Sequence, residues 1–149
     1  MTAVFAARCW PFATGLGAQK GIACVSKAQI VSIIDDDASV RAAMESLVKS
    51  QGLAAFVFES AEEFLRSPRV DDSACLVTDV QMPGMSGLDL QDRLIAQGSR
   101  IPIIFVTAFP EQTIRRRAEA AGALACLEKP FGGRAMIELV RQALAAQPR

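Results

Sequence analysis

The chain has 149 residues, of which 51% are hydrophobic, and its 16 basic and 16 acidic side chains give no net charge. This length and apolar content suffice for one domain with a sizeable buried core, and they exclude wholesale disorder. A balanced charge gives no general attraction to nucleic acid or to an acidic membrane surface. Because the sequence contains no histidine, histidine acid/base catalysis, Ser-His triads and most zinc sites are excluded.

The cysteine pattern and the apolar runs bear on the setting of the protein. The four cysteines, Cys9, Cys24, Cys75 and Cys126, lie far apart and form no Cys-x-x-Cys pair. Such spacing predicts reduced thiols in a cytoplasmic protein rather than a disulfide framework. No apolar run approaches the roughly 18 residues that a membrane span needs, so we expect no membrane association.

Residues 1–27 differ in composition from the rest of the chain. They carry three basic side chains, no acidic one, and neither helical nor strand periodicity. We expect a flexible N-terminal extension here, a boundary near Ala28, and one folded domain over residues 28–149. A secretory signal would need a longer uninterrupted apolar stretch after its basic start. A transit-like or docking role stays open on composition alone.

The first predicted strand is Ile30–Ile34, and the helix that follows it has a regular apolar stripe. Apolar residues recur there every three or four positions over residues 40–48. Ser39 is the expected N-cap of this helix. Gly52 lies where the end of a helix favours a positive φ.

The second and third strands are also followed by helix signals. The second predicted strand is Leu53–Phe58, after which Ser60 and Glu63 have the three-residue spacing of a capping box. The third is Ala74–Thr78, and its helix is expected over residues 86–97, before a glycine.

Two more strand and helix pairs complete the pattern. The strands are Ile101–Thr107 and Ala123–Leu127, and the helices are expected within residues 111–122 and 134–146. Apolar runs without alternation, such as IPIIFV, suit a parallel sheet buried on both faces. Five such units with right-handed crossovers predict an α/β fold, a five-stranded, doubly wound parallel sheet with five helices.

Chemically active residue types follow four of the predicted strands. In a sheet of this kind, ligands bind beyond the carboxyl ends of the strands. Clustered carboxylates repel one another unless they are protonated or share a cation, and Mg²⁺ prefers oxygen ligands. A carboxylate can attack phosphorus, while an ammonium and a hydroxyl stabilise the charge on the phosphoryl oxygens. The side chains that supply this set are Asp36, Asp79, Thr107 and Lys129.

Each of these residues also has an ordinary structural interpretation. The Asp35–Asp37 run could cap a helix from a solvated loop, and Asp79 could begin a turn before Met-Pro-Gly. Thr107 could be a strand-end hydroxyl and Lys129 a surface lysine. The coincidence of all four segments at one edge of the sheet favours a Mg²⁺-dependent phosphoryl-transfer site.

Four segments resemble the receiver domain of two-component response regulators in their order and spacing. They are IIDDD (33–37), LVTDVQMPGMSGLDL (76–90), VTA (106–108) and LEKPF (127–131). The chain is most similar to receivers of the nitrogen-fixation-regulator type, which often precede a LuxR-like helix-turn-helix. The resemblance covers residues 28–147 and implies a flavodoxin-like sheet with strand order 2-1-3-4-5.

The resemblance also implies a role for each site residue. Asp79 would accept a phosphoryl group from the phosphohistidine of a sensor histidine kinase or a histidine phosphotransfer protein. The Mg²⁺ ligands would be Asp35, Asp36, Asp79 and the backbone carbonyl of Gln81. Lys129 would pair with the phosphoryl group, and Thr107 would bond it and report its presence. Lys129–Pro130 would be a cis peptide, and Gly87 would let the next helix pack closely.

A receiver catalyses only its own phosphorylation and dephosphorylation and is not a metabolic enzyme. By the same resemblance, the chain would act on a downstream protein target or an output domain. The contact face would be formed by the fourth predicted helix, the last strand and the last helix. A phosphorylation-dependent homodimer is compatible with that face. We expect no direct contact of this chain with nucleic acid or with a membrane.

One position departs from the pattern of the family. Receivers usually carry Tyr or Phe three residues before the lysine, and Cys126 occupies that position here. A thiol cannot fill and vacate a pocket as a ring does, so the switch would need a loop or helix shift. Cys126 itself is expected to be a small buried strand residue. The Arg115–Arg117 run is expected on a solvated helix face or in an ionic contact with a partner.

Three other interpretations stay open from the sequence. The chain could be the receiver half of a DNA-binding regulator whose output domain is missing from this sequence. It could be a degenerate receiver that serves only as a scaffold. It could also be a Mg²⁺-dependent hydrolase of small phosphate esters, which would need a cap or a substrate pocket.

Overall fold

The structure, a computed structural model, describes residues 30–146. Within them lie five strands and six helices. The strands are β1 (Ile30–Ile34), β2 (Ala54–Phe58), β3 (Cys75–Asp79), β4 (Ile103–Thr107) and β5 (Ala125–Glu128). The helices are α1 (Ala38–Lys49), α2 (Ala61–Leu65), α3 (Arg69–Asp72), α4 (Gly87–Ala96), α5 (Gln112–Ala120) and α6 (Gly133–Ala145). The extension expected over residues 1–27 and the boundary near Ala28 lie outside these residues.

The strands form one parallel sheet in the order β2-β1-β3-β4-β5. This is the predicted doubly wound arrangement with the flavodoxin-like strand order. The strand order reverses at β1: β2 lies on one side of it, and β3, β4 and β5 follow on the other. Ligands bind at such a reversal in sheets of this kind. The order therefore places the carboxyl ends of β1, β3 and β4 next to one another.

Alternate residues of the buried strands enter two separate core layers. Phe105 and Leu76 pack in the layer that includes α2, α4 and α5, while Ile104 and Val77 pack in the layer of α1 and α6. All residues of β3 and β4 are buried, as expected for apolar strands covered by helices on both faces. Both layers stabilise the sheet edge at which the charged residues lie.

The N-cap of α1 is Asp37, so the prediction of Ser39 was wrong. Oδ1 of Asp37 accepts hydrogen bonds from the backbone N–H of Ser39, at 2.9 Å, and from its hydroxyl, at 2.7 Å. These hydrogen bonds hold the pKa of Asp37 below its usual value. Both residue types cap helices well, and the cap falls on Asp37 because its backbone is extended while Ser39 is already helical.

The capping box predicted at the second helix forms only in part. The Ser60 hydroxyl accepts from the N–H of Glu63 at 3.0 Å, as predicted. The Glu63 carboxylate accepts from the N–H of Glu59, at 2.7 Å, one residue before the cap. The side chain therefore still stabilises the start of α2, through a different backbone donor.

The sequence predicts five helices, and the structure has a sixth, the one-turn helix α3. The Ser67 hydroxyl donates to the carbonyl of Phe64 at 2.8 Å, which closes the end of α2. Pro68 follows, and its ring and missing N–H prevent α2 from continuing. The chain turns again after Pro68 into α3. The fourth and fifth predicted helices therefore correspond to α5 and α6.

The helices end largely where glycines allow a left-handed backbone. Gly52 and Gly98 have φ of 81° and 83°, as the sequence predicts for the ends of α1 and α4. None of the helices in residues 30–146 has the length and apolar character needed to cross a membrane.

Gly87 allows a close approach between α4 and the end of β3. A Cβ atom at this position would lie 2.3 Å from the backbone carbonyl oxygen of Asp79 and 3.1 Å from the Phe105 ring. Such a contact with backbone atoms cannot be relieved by a side-chain rotation. The sequence prediction that Gly87 permits close packing is confirmed.

We expect Gly87→Ala to lower the free energy of unfolding by about 2 kcal/mol, because β3 and α4 must move apart to admit the methyl group. Chemical denaturation followed by circular dichroism measures this change. Gly132→Ala is the matched control, since a Cβ there meets nothing within 4 Å. Equal stability of the Gly87 and Gly132 variants would show that the close approach is not required.

Candidate functional site

Three carboxylates meet at the carboxyl ends of β1 and β3. Asp35 follows β1 and is fully buried, Asp79 ends β3 and is 6% exposed, and Asp36 is exposed. One oxygen from each of the three lies within 4.8 Å of the others. The structure thus brings together the three acidic residues that the sequence nominated as metal ligands.

Lys129 lies between the two buried carboxylates. Its Nζ is 2.9 Å from Oδ2 of Asp35 and 3.0 Å from Oδ2 of Asp79. The lysine follows β5, and its backbone N–H donates to the carbonyl of Thr107 at 2.8 Å. The Lys129–Pro130 peptide bond is cis, as expected. One ammonium group therefore bridges residues from two neighbouring strands.

The second oxygen of each buried carboxylate accepts from a backbone amide. Oδ1 of Asp35 accepts from the N–H of Asp37 at 2.9 Å, and Oδ1 of Asp79 accepts from that of Gln81 at 3.1 Å. Each carboxylate is thus held in orientation at both oxygens. The bond to Asp79 also keeps Gln81, the expected carbonyl ligand, next to the cluster.

The environment shifts the pKa values of the central pair. Burial raises the pKa of Asp79, and the nearby charge of Asp35 raises it further, while the hydrogen bond from Lys129 opposes both. Burial alone would lower the pKa of Lys129, but its hydrogen bonds to Asp35 and Asp79 outweigh that effect and raise it. Lys129 is therefore a cation at neutral pH, whereas burial and the charge of Asp35 disfavour the ionised form of Asp79.

The donor set fits a hard divalent cation such as Mg²⁺. Three carboxylates face one ammonium group, so the cluster carries an excess of negative charge that a cation would neutralise. All the side-chain donors are oxygens, and Asp36 is open to solvent, which suits an ion that keeps several of its waters. The site could thus hold Mg²⁺ through Asp35, Asp36 and Asp79.

Thr107 completes the edge at the end of β4. It is fully buried, and its Oγ1 accepts a hydrogen bond from the backbone N–H of Phe109 at 3.0 Å. The Phe109 side chain is 62% exposed. The hydroxyl acts as an acceptor in this bond, and it can act as a donor as well.

Comparison with known proteins agrees with this geometry. The model of the response regulator receiver domain matches residues 31–141. The response regulator protein TodT of Pseudomonas putida is 39% identical over 123 residues, which cover 83% of this chain and 54% of TodT. The transcriptional regulatory protein FixJ of Azorhizobium caulinodans is 41% identical over 114 residues, 76% of this chain and 54% of FixJ. The chain therefore spans about half the length of these curated relatives.

This chain belongs to the response regulator receiver family. Among solved structures, FixJ-N has 34% sequence identity to this chain. Its crystal structure superposes with a TM-score of 0.73, over 80% of this chain and 96% of that one. The sequence-based assignment to receivers of the nitrogen-fixation-regulator type is confirmed.

Cys126 of this receiver lies in the core layer of α4 and α5. It is 7% exposed, and burial raises the pKa of its thiol. The position usually held by an aromatic ring is thus filled by a small buried side chain. Its backbone carbonyl accepts from Nη1 of Arg115 at 3.2 Å.

The three consecutive arginines have different surroundings. Arg115 binds the backbone of β5, and Arg117 binds Asp92 of α4 at 2.7 Å, whereas Arg116 is exposed. Arg116 and Arg117 are exposed, as a solvated helix face predicts, whereas Arg115 turns toward β5, because consecutive residues point to different sides of a helix.

Sequence reasoning missed two residues that support the receiver site. Nη1 of Arg41 in α1 donates to the backbone carbonyl of Asp35 at 2.7 Å. Glu62 in α2 accepts from the backbone N–H of Met85, in the loop after Asp79, at 3.0 Å. Both belong to helices that begin at the carboxyl edge of the sheet, which was a signal in the sequence that could have nominated them.

We expect Asp79→Asn to raise the melting temperature in metal-free buffer at pH 7 by a few degrees, since it removes one of the clustered charges. Asp79 has a raised pKa in the folded state, so its penalty is absent below the unfolded pKa and grows as pH rises through the folded one. The difference between the variant and the wild type should therefore shrink toward acidic pH. Calorimetry over a pH series measures it, and a less stable Asp79→Asn at neutral pH would contradict the expected repulsion.

Proposed function

We propose that this receiver is phosphorylated on Asp79 in a Mg²⁺-dependent reaction, by a sensor histidine kinase or a histidine phosphotransfer protein. The observation that carries this proposal is the bridging of Asp35 and Asp79 by Lys129, beside the exposed Asp36. A buried carboxylate with a raised pKa is a suitable nucleophile once a cation and an ammonium group offset its neighbours.

The residues of the chain have distinct tasks in this reaction. A carboxylate oxygen of Asp79 forms a bond to phosphorus as the bond from phosphorus to the histidine nitrogen breaks, and the nitrogen keeps the electron pair. The Lys129 ammonium leaves its contact with Asp79 and pairs with a phosphoryl oxygen. The Thr107 hydroxyl donates to another. Bound Mg²⁺ would supply charge neutralisation between Asp35, Asp36 and the phosphoryl group.

An apolar groove next to the site is suited to dock a protein that donates the phosphoryl group. The groove, of about 580 Å³, lies between α1 and the segment after β5, and its lining includes Val40, Leu47, Phe131 and Lys129. Because Lys129 contributes to both, the groove is continuous with the carboxylate cluster. We place the phosphohistidine-bearing protein here, its apolar surface against Val40 and Phe131.

The signal would leave through protein contacts of the face formed by α5, β5 and α6. TodT and FixJ are named as regulators and are nearly twice the length that this chain matches. An output domain linked to the receiver is therefore a second route beside a separate target protein or a phosphorylation-dependent homodimer. The buried thiols Cys75 and Cys126 are unpaired, which supports a cytoplasmic setting.

We expect the protein to gain one phosphoryl adduct when it is incubated with Mg²⁺ and acetyl phosphate, because a high-energy small phosphate can replace the protein donor. Intact-mass spectrometry detects the adduct, which should be labile at alkaline pH. Asp79→Asn is the control that should gain none.

If the wild type gains no adduct, the measurement is repeated with a phosphorylated histidine phosphotransfer domain. Failure with both donors would contradict the proposal and favour a scaffold receiver. Multiple turnover of a phosphate ester without a protein partner would favour a hydrolase instead.

We expect millimolar Mg²⁺ to raise the melting temperature of the wild type by a few degrees, because the cation binds the folded carboxylate cluster. Asp36→Asn should abolish this rise, since it removes the exposed ligand. Asp71→Asn, at an exposed position in α3, is the control that should respond like the wild type. An unchanged response of Asp36→Asn in differential scanning fluorimetry would exclude Asp36 from the site.

A further inference from the structure

Glu62 binds the loop that follows Asp79. Its Oε2 accepts from the backbone N–H of Met85 at 3.0 Å. The same oxygen lies 2.9 Å from where a Cβ of Gly84 would be, so it occupies the space beside this glycine, whose φ is +80°. Hydrogen bonds from its own backbone N–H and from that of Met85 hold the pKa of Glu62 below its usual value. The side chain is therefore an anionic acceptor at neutral pH.

The loop depends on few other polar contacts. Its first residue is Val80, whose N–H donates to the carbonyl of Val106 at 3.0 Å. The carbonyl of Val80 accepts from the N–H of Gly87 at 2.9 Å, which closes the loop. At its inner end, Gln81 donates to Asp79. Within residues 30–146, the hydrogen bond that ties the outer part of this loop to a separate element is the one that Glu62 accepts.

We propose that Glu62 is a positioning residue, whose hydrogen bond from Met85 holds the loop so that Gln81 presents its carbonyl to the divalent cation beside Asp79. The loop spans only residues 80–87, so only three residues separate Gln81 from Met85, and a shift of the outer end would be transmitted to Gln81 through few peptide groups. This inference rests on the proposed phosphorylation site and extends it to a residue on another helix. It assigns Glu62 no contact with the cation or the phosphoryl group.

The neighbouring Glu63 separates positioning from simple support of α2. Its carboxylate accepts from the backbone N–H of Glu59 and stabilises the start of the same helix, without contact to the loop. Glu63→Ala therefore weakens α2 in the way that a purely structural loss would. Glu62→Gln keeps an oxygen acceptor of the same length and removes only the charge.

The experiment measures Mg²⁺ affinity by titration calorimetry and the exchange of the Met85 amide hydrogen by NMR, in the wild type and the variants Glu62→Ala, Glu62→Gln and Glu63→Ala. We expect Glu62→Ala to bind Mg²⁺ about three- to tenfold more weakly, the worth of one hydrogen bond. Its Met85 amide should exchange faster without metal. Glu62→Gln should restore most of both properties, and Glu63→Ala should change neither.

Each other result overturns the inference. If Glu62→Ala and Glu63→Ala weaken Mg²⁺ binding equally, the effect is support of α2 alone. If Glu62→Gln is as weak as Glu62→Ala, the charge matters and not the hydrogen bond. If Met85 exchange is unchanged in Glu62→Ala, the carboxylate does not hold the loop. A wild type that binds no Mg²⁺ would instead contradict the proposed function, and Met85 exchange would still test the contact.

Discussion

The bridge from Lys129 to Asp35 and Asp79 is the interaction around which the structure is arranged. Two carboxylates lie buried at adjacent strand ends, and one ammonium group serves both. Burying an unpaired charge is costly, so the register of β1 against β3 must bring both carboxylates to the same lysine. A third carboxylate, Asp36, leaves the cluster negative. The folded chain thus carries excess negative charge at this edge, which lowers its stability and which a bound cation would neutralise.

Backbone hydrogen bonds hold the clustered carboxylates in their orientation. The backbone amides of Asp37 and Gln81 donate to the Oδ1 atoms of the two buried carboxylates, so the site depends on the loops after β1 and β3. Gly87 lets α4 begin directly against the end of β3, which fixes the far end of the second loop. Glu62 contacts the same loop from α2. The acidic cluster is therefore supported by two helices that contribute no ligand to it.

The sequence predicted the sheet and the composition of its charged edge because both follow from local patterns. Apolar runs such as Ile101–Thr107 identify buried parallel strands, and the residues after such strands must share one edge. Details that depend on competition between neighbours were less accessible. Asp37 and Ser39 both cap helices well, and only the backbone at each position decides between them. The contact of Glu62 with Met85 joins residues 23 positions apart, which no periodicity reveals.

The surroundings of Cys126 connect the charged edge of the sheet with α5 and β5. An aromatic ring at this position could change its rotamer, which the small buried thiol of Cys126 cannot imitate, and the backbone carbonyl of the same residue binds Arg115 of α5. Thr107 is linked to the start of that helix by the N–H of Phe109. A displacement of Thr107 toward a phosphoryl group would therefore act on the backbone before α5. Arg117 also binds Asp92, so an exposed ion pair links α5 to α4 as well.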